Sequence, residues 1–184
     1  MFELTVAVIL SAQATDPSVN RVTPALFEKY PDAQHMALAE PSDLENLIKS
    51  IGLFRNKAKS IKALSTILAE QYQGQVPMDF ETLQTLPGIG RKTANVIVAV
   101  GFNQPGLAVD THVLRVSKRL GLVPQNADPT KTELILKKAL PKEIWGEAHH
   151  AILFFGRYHC MARKPKCAIC PLNEMCPYYK KMNP

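Results

Sequence analysis

Four cysteines follow one another as Cys160-x6-Cys167-x2-Cys170-x5-Cys176, close to the C-terminal end of the 184 residues. Soft thiolates in so short a span can form a metal cage, and zinc and a [4Fe–4S] cluster are the two candidates. Structural zinc sites often pinch the ion between two close pairs. Here one close pair is flanked by two wider-spaced cysteines, which suits the corners of a cube better, although spacing by itself leaves both metals open. Two disulfides are the other arrangement, but the rest of the chain is cysteine-free and long enough to fold unaided, so a metal site is the expectation. Between the first two cysteines, Arg163, Lys164 and Lys166 put three cations on a loop that metal ligands would tether at both ends. Such a loop is either a solvated tip or a rigid contact surface for phosphate.

The second constellation is Leu86-Pro87-Gly88-Ile89-Gly90-Arg91-Lys92. Pro87 presets one turn dihedral, while Gly88 and Gly90 permit positive φ and leave the backbone bare. Amide groups at the start of the next helix then form an anion site beside Arg91 and Lys92. The segment, about residues 79–100, is expected to be a helix–hairpin–helix that grips a DNA phosphate without reading sequence; a ligand-free Pro-Gly connector is the alternative. Lys92 falls in the first turn of the second helix. The positive helix end, Arg91 and burial beneath a bound strand all favour a neutral amine, the form that makes a Schiff base, although a lysine here also suits a plain phosphate contact. Asp110 follows an apolar run in Val109-Asp110-Thr111-His112 and precedes a helix. It can cap that helix, and the same carboxylate can stabilise cationic character at a sugar and manage protons for Lys92.

These groups must be positioned by helices. Ser42-x-x-Glu45 and Thr130-x-x-Glu133 have the capping-box pattern, and Leu44, Leu47, Ile48 and Ile51 recur at helical spacing before Gly52 stops the element. Ile61, Leu64, Ile67 and Leu68 make one apolar face, with Lys57, Lys59 and Lys62 mostly off it and Gly74 and Pro77 beyond its end. Asp79 is expected to cap a short helix through Leu86, Asp110 one through Leu120, and Trp145 to Tyr158 supply the last long helix. Thr93 to Val100 is β-branched enough for a buried strand, but no other strand is available to pair with it, so a buried helix is expected. The fold class is therefore all-α, with a domain boundary near Asn103 to Gly106. A formal charge of +6 favours a polyanionic partner, nucleic acid before a membrane surface. No stretch is long and apolar enough to span a bilayer. Met1 to Gln13 resembles a secretory signal at Ala12-Gln13-Ala14 but lacks the basic start such signals need, so secretion is not expected.

Taken in order, Leu10-Ser11-Ala12-Gln13-Ala14-Thr15-Asp16, Ile51-Gly52-Leu53, Leu86 to Asn95, Ala108 to His112, and the cysteines with Gly156-Arg157 before them resemble the endonuclease III family. The likeness runs almost from Met1 to Tyr179. It implies a two-lobed all-α helix–hairpin–helix glycosylase fold with DNA in the cleft. Residues 1–104 would form a helical barrel lobe with the hairpin, and residues 105–184 a cluster lobe whose loop 160–176 holds [4Fe–4S] through Cys160, Cys167, Cys170 and Cys176. It implies a base-excision DNA glycosylase with lyase activity, in which Lys92 attacks the sugar of a flipped nucleotide, Asp110 assists, and β-elimination cuts the strand. Gln13 would fill the hole left by the flipped base and Leu53 would wedge into the stack, while Gly88, Gly90, Arg91, Arg163, Lys164 and Lys166 contact DNA. The implied partner is duplex DNA carrying oxidised pyrimidines or abasic sites, met by a monomer in the cytoplasm at the nucleoid.

Within the same fold, the related adenine glycosylases lack a lysine at the position of Lys92 and carry a further C-terminal domain. A non-catalytic DNA-binding iron–sulfur protein would need the hairpin and the cluster but not both Lys92 and Asp110. A ferredoxin-like carrier would explain the cluster and not the phosphate-gripping hairpin. Family members usually carry a further N-terminal segment that packs on the cluster lobe. This sequence opens inside the first matching helix; if that is the true start, uncovered apolar surface and reduced stability are expected, and activity rather than fold is what the difference bears on.

Overall fold

Residues 1–182 are described by a computed structural model, in which the chain divides into two compact units, Met1–Gln104 and Pro105–Pro184. In the first unit, apolar residues at helical spacing build α1 (Phe2–Ser11), α2 (Asp16–Lys29), α3 (Ala33–Ala37), α4 (Pro41–Ile48), α5 (Phe54–Gln71), α6 (Phe80–Thr85) and α7 (Arg91–Val96). The longest, α5, is central: Ile61, Leu64 and Leu68 are fully buried on one face, against which α3, α4 and α1 pack. Burial of each such side chain contributes roughly 1.5–3 kcal/mol. Gly74, at φ +78°, turns the chain out of α5 while its N–H donates to Leu68 O at 2.8 Å, a left-handed closure that glycine makes without a Cβ penalty. Asp79 caps α6 by accepting from the Thr82 N–H at 2.7 Å.

Thr93 to Val100 is helical: α7 runs into a π-helical turn, Ile97–Gly101, with Ala94, Ile97 and Val98 buried. Neither capping box forms. Glu40 is the N-cap of α4 with Pro41 at its first position, and Ser42 lies inside the helix. Likewise Asp128, not Thr130, caps the later helix, accepting from the Lys131 N–H at 2.7 Å, with Pro129 behind it. In both places proline's fixed φ sets the first helical residue and moves the start upstream of the Ser or Thr. Helix α4 also ends at Ile48, before Gly52.

The second unit holds α8 (Thr111–Arg119), α9 (Pro129–Ala139), α10 (Trp145–Tyr158) and α11 (Pro177–Met182), with short 3₁₀ turns between α9 and α10 and between α10 and α11. Leu107, Val109, Val113 and Leu136 form its buried core, with Trp145, Ile152 and Leu153 packed against it. Helices α8 and α10 cross at Gly156, where an added Cβ would stand 3.0 Å from both His112 Cβ and Val116 Cγ2. Only a residue without a side chain allows so close an approach. Among the described residues no helix is long and apolar enough to cross a membrane.

Candidate active site and metal centre

Leu83, Leu86 and Ile89 are buried and anchor the turn between α6 and α7. Gly88 sits at φ +79°, and a Cβ there would lie 2.9 Å from Ser60 Cβ and 3.2 Å from Ile9 Cγ2, so the hairpin rests directly on α5 and α1. Gly90, at φ −87°, has nothing within 4 Å of the place a Cβ would occupy. The two glycines therefore do different things: one permits packing and a left-handed turn, the other leaves backbone open to an incoming group. Helix α7 begins immediately after, and the N–H groups of a first helical turn have no intrahelical acceptors. Lys92 stands exposed there, beside Arg91, whose guanidinium lies 5.3 Å from the centre of the Phe80 ring. Gly88→Ala is expected to lose roughly 1–3 kcal/mol of stability from the positive φ and the contact with Ser60. Gly90→Ala should leave thermal unfolding nearly unchanged and, on the expectation that this hairpin grips a duplex phosphate, weaken DNA binding roughly tenfold or more by crowding the amides. Thermal melts and a binding titration on both variants check this pair.

Gln13 and Leu53 are exposed, Leu53 by 57%, and both have left-handed backbone, at φ +53° and +60°. Gln13 lies in the α1–α2 turn, and Leu53 is the residue from which α5 starts. The structure brings these turns together, since a Cβ on Gly52 would stand 3.9 Å from Gln13 O. Lys57, expected off the apolar face of α5, is instead buried at 6% exposure and donates to Leu10 O at 2.9 Å. Burial pushes its ammonium below the usual lysine range.

Asp110 is the N-cap of α8, accepting from the Val113 N–H at 2.8 Å, and is half-buried. Lys92 is thus placed by α7 of the first unit and Asp110 by α8 of the second. Asp110→Asn keeps a side-chain oxygen for the cap, whereas Asp110→Ala loses it along with about 1 kcal/mol of stability. If the carboxylate charge serves chemistry, both variants lose base release by on the order of 10²-fold while only the alanine variant melts earlier. Single-turnover excision and thermal melts on the two variants separate these roles.

All four cysteines line one cavity together with Leu120, Phe155, His159 and Tyr178. Cys160, Cys167 and Cys170 are half-buried and Cys176 is buried. Burial pushes the Cys167 thiol up, and the neighbouring sulfurs of Cys160 and Cys176 push it further, with Arg119 opposing. No three His, Cys, Asp or Glu side chains among the described residues are grouped to share a single metal ion. Four thiol side chains lining one cavity fit a multi-iron cluster, whose positive irons would relieve the repulsion among their thiolate forms. Arg119, which no sequence motif marked, ties the first ligand in place. It stands 3.4 Å from Cys160 Sγ, donates to Met161 O at 2.8 Å, and lies 4.3 Å from the centre of the Tyr178 ring. Arg115, four residues earlier on the same helix, donates to Cys160 O at 3.2 Å and Gly156 O at 2.7 Å. Arg163, Lys164 and Lys166 are exposed on the intervening loop, Lys164 at φ +50°. Arg115 and Arg119 stand one turn apart on α8, so the spacing of the two arginines is the feature that could have marked this scaffold.

The family model of the HhH-GPD superfamily base excision DNA repair proteins matches residues 6–142, and that of the iron–sulfur binding domain of endonuclease III matches residues 160–176. By these matches the chain belongs to the HhH-GPD superfamily of base excision DNA repair proteins. It is similar to endonuclease III of Bacillus subtilis (strain 168), at 53% identity over 175 residues that cover 95% of this chain and 80% of that one. It is 42% identical over 183 residues to endonuclease III of Escherichia coli (strain K12), covering 99% and 86%. Among solved structures, a trapped endonuclease III–DNA covalent intermediate (an estranged-adenine complex) superposes with a TM-score of 0.93 at 50% identity, over 100% of this chain and 86% of that one. A thermostable thymine-DNA glycosylase, 24% identical with a TM-score of 0.86, shares the fold. The family is enzymatic, and the cysteine loop of this chain is its iron–sulfur binding element.

Proposed function

We propose that the protein excises oxidised pyrimidines from duplex DNA and then cuts the strand at the resulting abasic site, with Lys92 as the nucleophile. The observation that carries this reading is the exposed Lys92 in the first turn of α7, immediately behind the open backbone of Gly90. The hairpin holds a phosphate through amides at Gly88 and Gly90 and the charge of Arg91, and the flipped nucleotide is presented to Lys92. The neutral Nζ attacks C1′, the bond from C1′ to the base nitrogen breaks, and the base departs with its electron pair and takes up a proton. The Asp110 carboxylate stabilises the cationic sugar as that bond lengthens and accepts a proton from the attacking amine. Loss of a second amine proton opens the ring to an imine. Removal of a C2′ proton then expels the 3′ phosphate, and water finally releases Lys92.

Gln13 fills the vacated space in the duplex and Leu53 wedges into the stack, a role that fits their exposure and shared location. Residues 1–104 act as the barrel lobe carrying the hairpin, and residues 105–184 as the cluster lobe. Cys160, Cys167, Cys170 and Cys176 would hold a [4Fe–4S] cluster, which would tie together a loop whose only regular structure is short 3₁₀ turns. Arg163, Lys164 and Lys166 on that loop contact phosphates. The protein acts as a monomer in the cytoplasm, at the nucleoid, where thiols stay reduced.

The test is borohydride capture. A duplex with one thymine glycol is incubated with the cluster-loaded protein and reduced. A covalent protein–DNA band, absent with undamaged duplex, is the expected result. Salt-sensitive DNA binding with no band at any enzyme concentration would leave a DNA-binding protein without the imine chemistry.

A further inference from the structure

We infer that Lys57 is the strut that holds the two DNA-facing turns, those of Gln13 and Leu53, in register with each other. The inference rests on the reading of those turns as void-filler and wedge. Lys57 lies in the first turn of α5 and is 6% exposed. Among the described residues no carboxylate pairs with it; its ammonium donates to Leu10 O at 2.9 Å, across a sequence separation of 47. A buried cation without a counter-ion is unfavourable compared with an apolar side chain of similar length, so its retention calls for a function the hydrocarbon cannot supply.

What the charge holds is specific. Leu10 is in the last turn of α1, whose terminal carbonyls lack intrahelical donors. Three residues on, Gln13 takes left-handed backbone. The Lys57 N–H meanwhile donates to Leu53 O at 3.1 Å, and Leu53 is itself left-handed. One residue therefore fastens both turns, the first through its side chain and the second through its backbone. Left-handed conformations of glutamine and leucine persist only where surrounding contacts over-determine them. The close approach of Gly52 to Gln13 O puts the fastened turns side by side. Without the ammonium, the end of α1 is free to shift against the start of α5, and the two side chains no longer enter a duplex together. Lys57 is thus a positioning residue, acting through Gln13 and Leu53.

The test compares Lys57→Met, of similar length but without the donor, with Lys57→Arg, which keeps it. Each is assayed on a duplex containing thymine glycol, where a base must be extruded, and on a single-stranded oligonucleotide carrying one abasic site, where no stack is opened. A 2-aminopurine beside the lesion reports extrusion directly. Lys57→Met is expected to lose on the order of tenfold in excision and most of the fluorescence rise on duplex, with borohydride capture on the single strand within about twofold of wild type. Lys57→Arg should restore the duplex activity. Equal losses on both substrates, or an unchanged fluorescence rise, would overturn the proposal. Leu53→Ala, run alongside, distinguishes the two levels of the argument. If it leaves duplex and single-strand rates in their wild-type ratio, the wedge reading fails; if it shows the split and Lys57→Met does not, the strut fails alone. Should Lys57→Met lose its helical circular-dichroism spectrum, Lys57→Gln, a donor with shorter reach, carries the same comparison: a partial duplex-specific loss supports the strut, and a loss shared by both substrates overturns it.

Discussion

Replacing Lys92 with alanine is expected to abolish the covalent species that borohydride captures and to lower base release and strand cleavage together by at least about 10³-fold. The reason is chemical rather than structural. An amine can expel the base and keep the sugar as an imine, two steps that a hydroxyl, a carboxylate or an activated water cannot both perform. Lys92 is exposed and belongs to no core cluster, so its loss should move thermal stability by less than about 0.5 kcal/mol. Lys92→Arg sharpens the result. It preserves the positive charge, and therefore phosphate attraction, while removing the nucleophile. Binding near wild type with no captured product is the expected signature. If alanine instead weakened binding and cleavage in equal proportion, and arginine restored both, Lys92 would be a phosphate contact only.

Cys170→Ser is expected to remove the second large property, the iron–sulfur absorption in the visible, and to drop bound iron to background. Beyond the hydrogen bonds from Arg115 and Arg119 to residues 160–162, residues 160–176 have little else to hold them: short 3₁₀ turns, one buried cysteine, and many exposed side chains. Where a segment has no core of its own, binding energy at the metal is its folding energy. Losing one corner should release the loop, so trypsin is expected to cut after Arg163 and Lys166 in the variant while residues 1–104 resist. Arg119 supplies a graded comparison, because its guanidinium reaches Cys160 and the Met161 carbonyl without being a ligand. Arg119→Lys should keep the cluster and lose it faster to a chelator. Wild-type iron content in Cys170→Ser would remove that cysteine from the ligand set.

Much of this was readable from local sequence because the physics involved is local. Asp79 and Asp110 each bond an amide three residues on, so an Asp before an apolar helix suffices to place the cap. The span of α10 follows from its own periodicity, bounded by Pro141 before it and the first cysteine after it. The endonuclease III likeness likewise rests on short runs whose order is enough to identify the family. Where local rules competed, the pattern misled: Ser42 and Thr130 have capping-box spacing, but a neighbouring proline with a fixed φ started each helix earlier.

What the chain order could not contain is contact between residues far apart in it. Lys57 reads as one more surface lysine on a helix, and only the packing of α5 against α1 buries it and gives its ammonium the Leu10 carbonyl. The left-handed backbone at Gln13 and Leu53 is not a preference of glutamine or leucine; it is imposed by the turns around it. Cysteine spacing left zinc and iron both open, and the match of residues 160–176 to the iron–sulfur binding domain of endonuclease III separated them, while the packing alone shows all four cysteines lining one cavity. Sequence determined which chemistry is carried and on which helices, because caps, turns and helical periods act within a few residues. Tertiary structure decided how those groups are held, because a buried charge, a strained turn and a thiolate cage exist only once distant segments have packed.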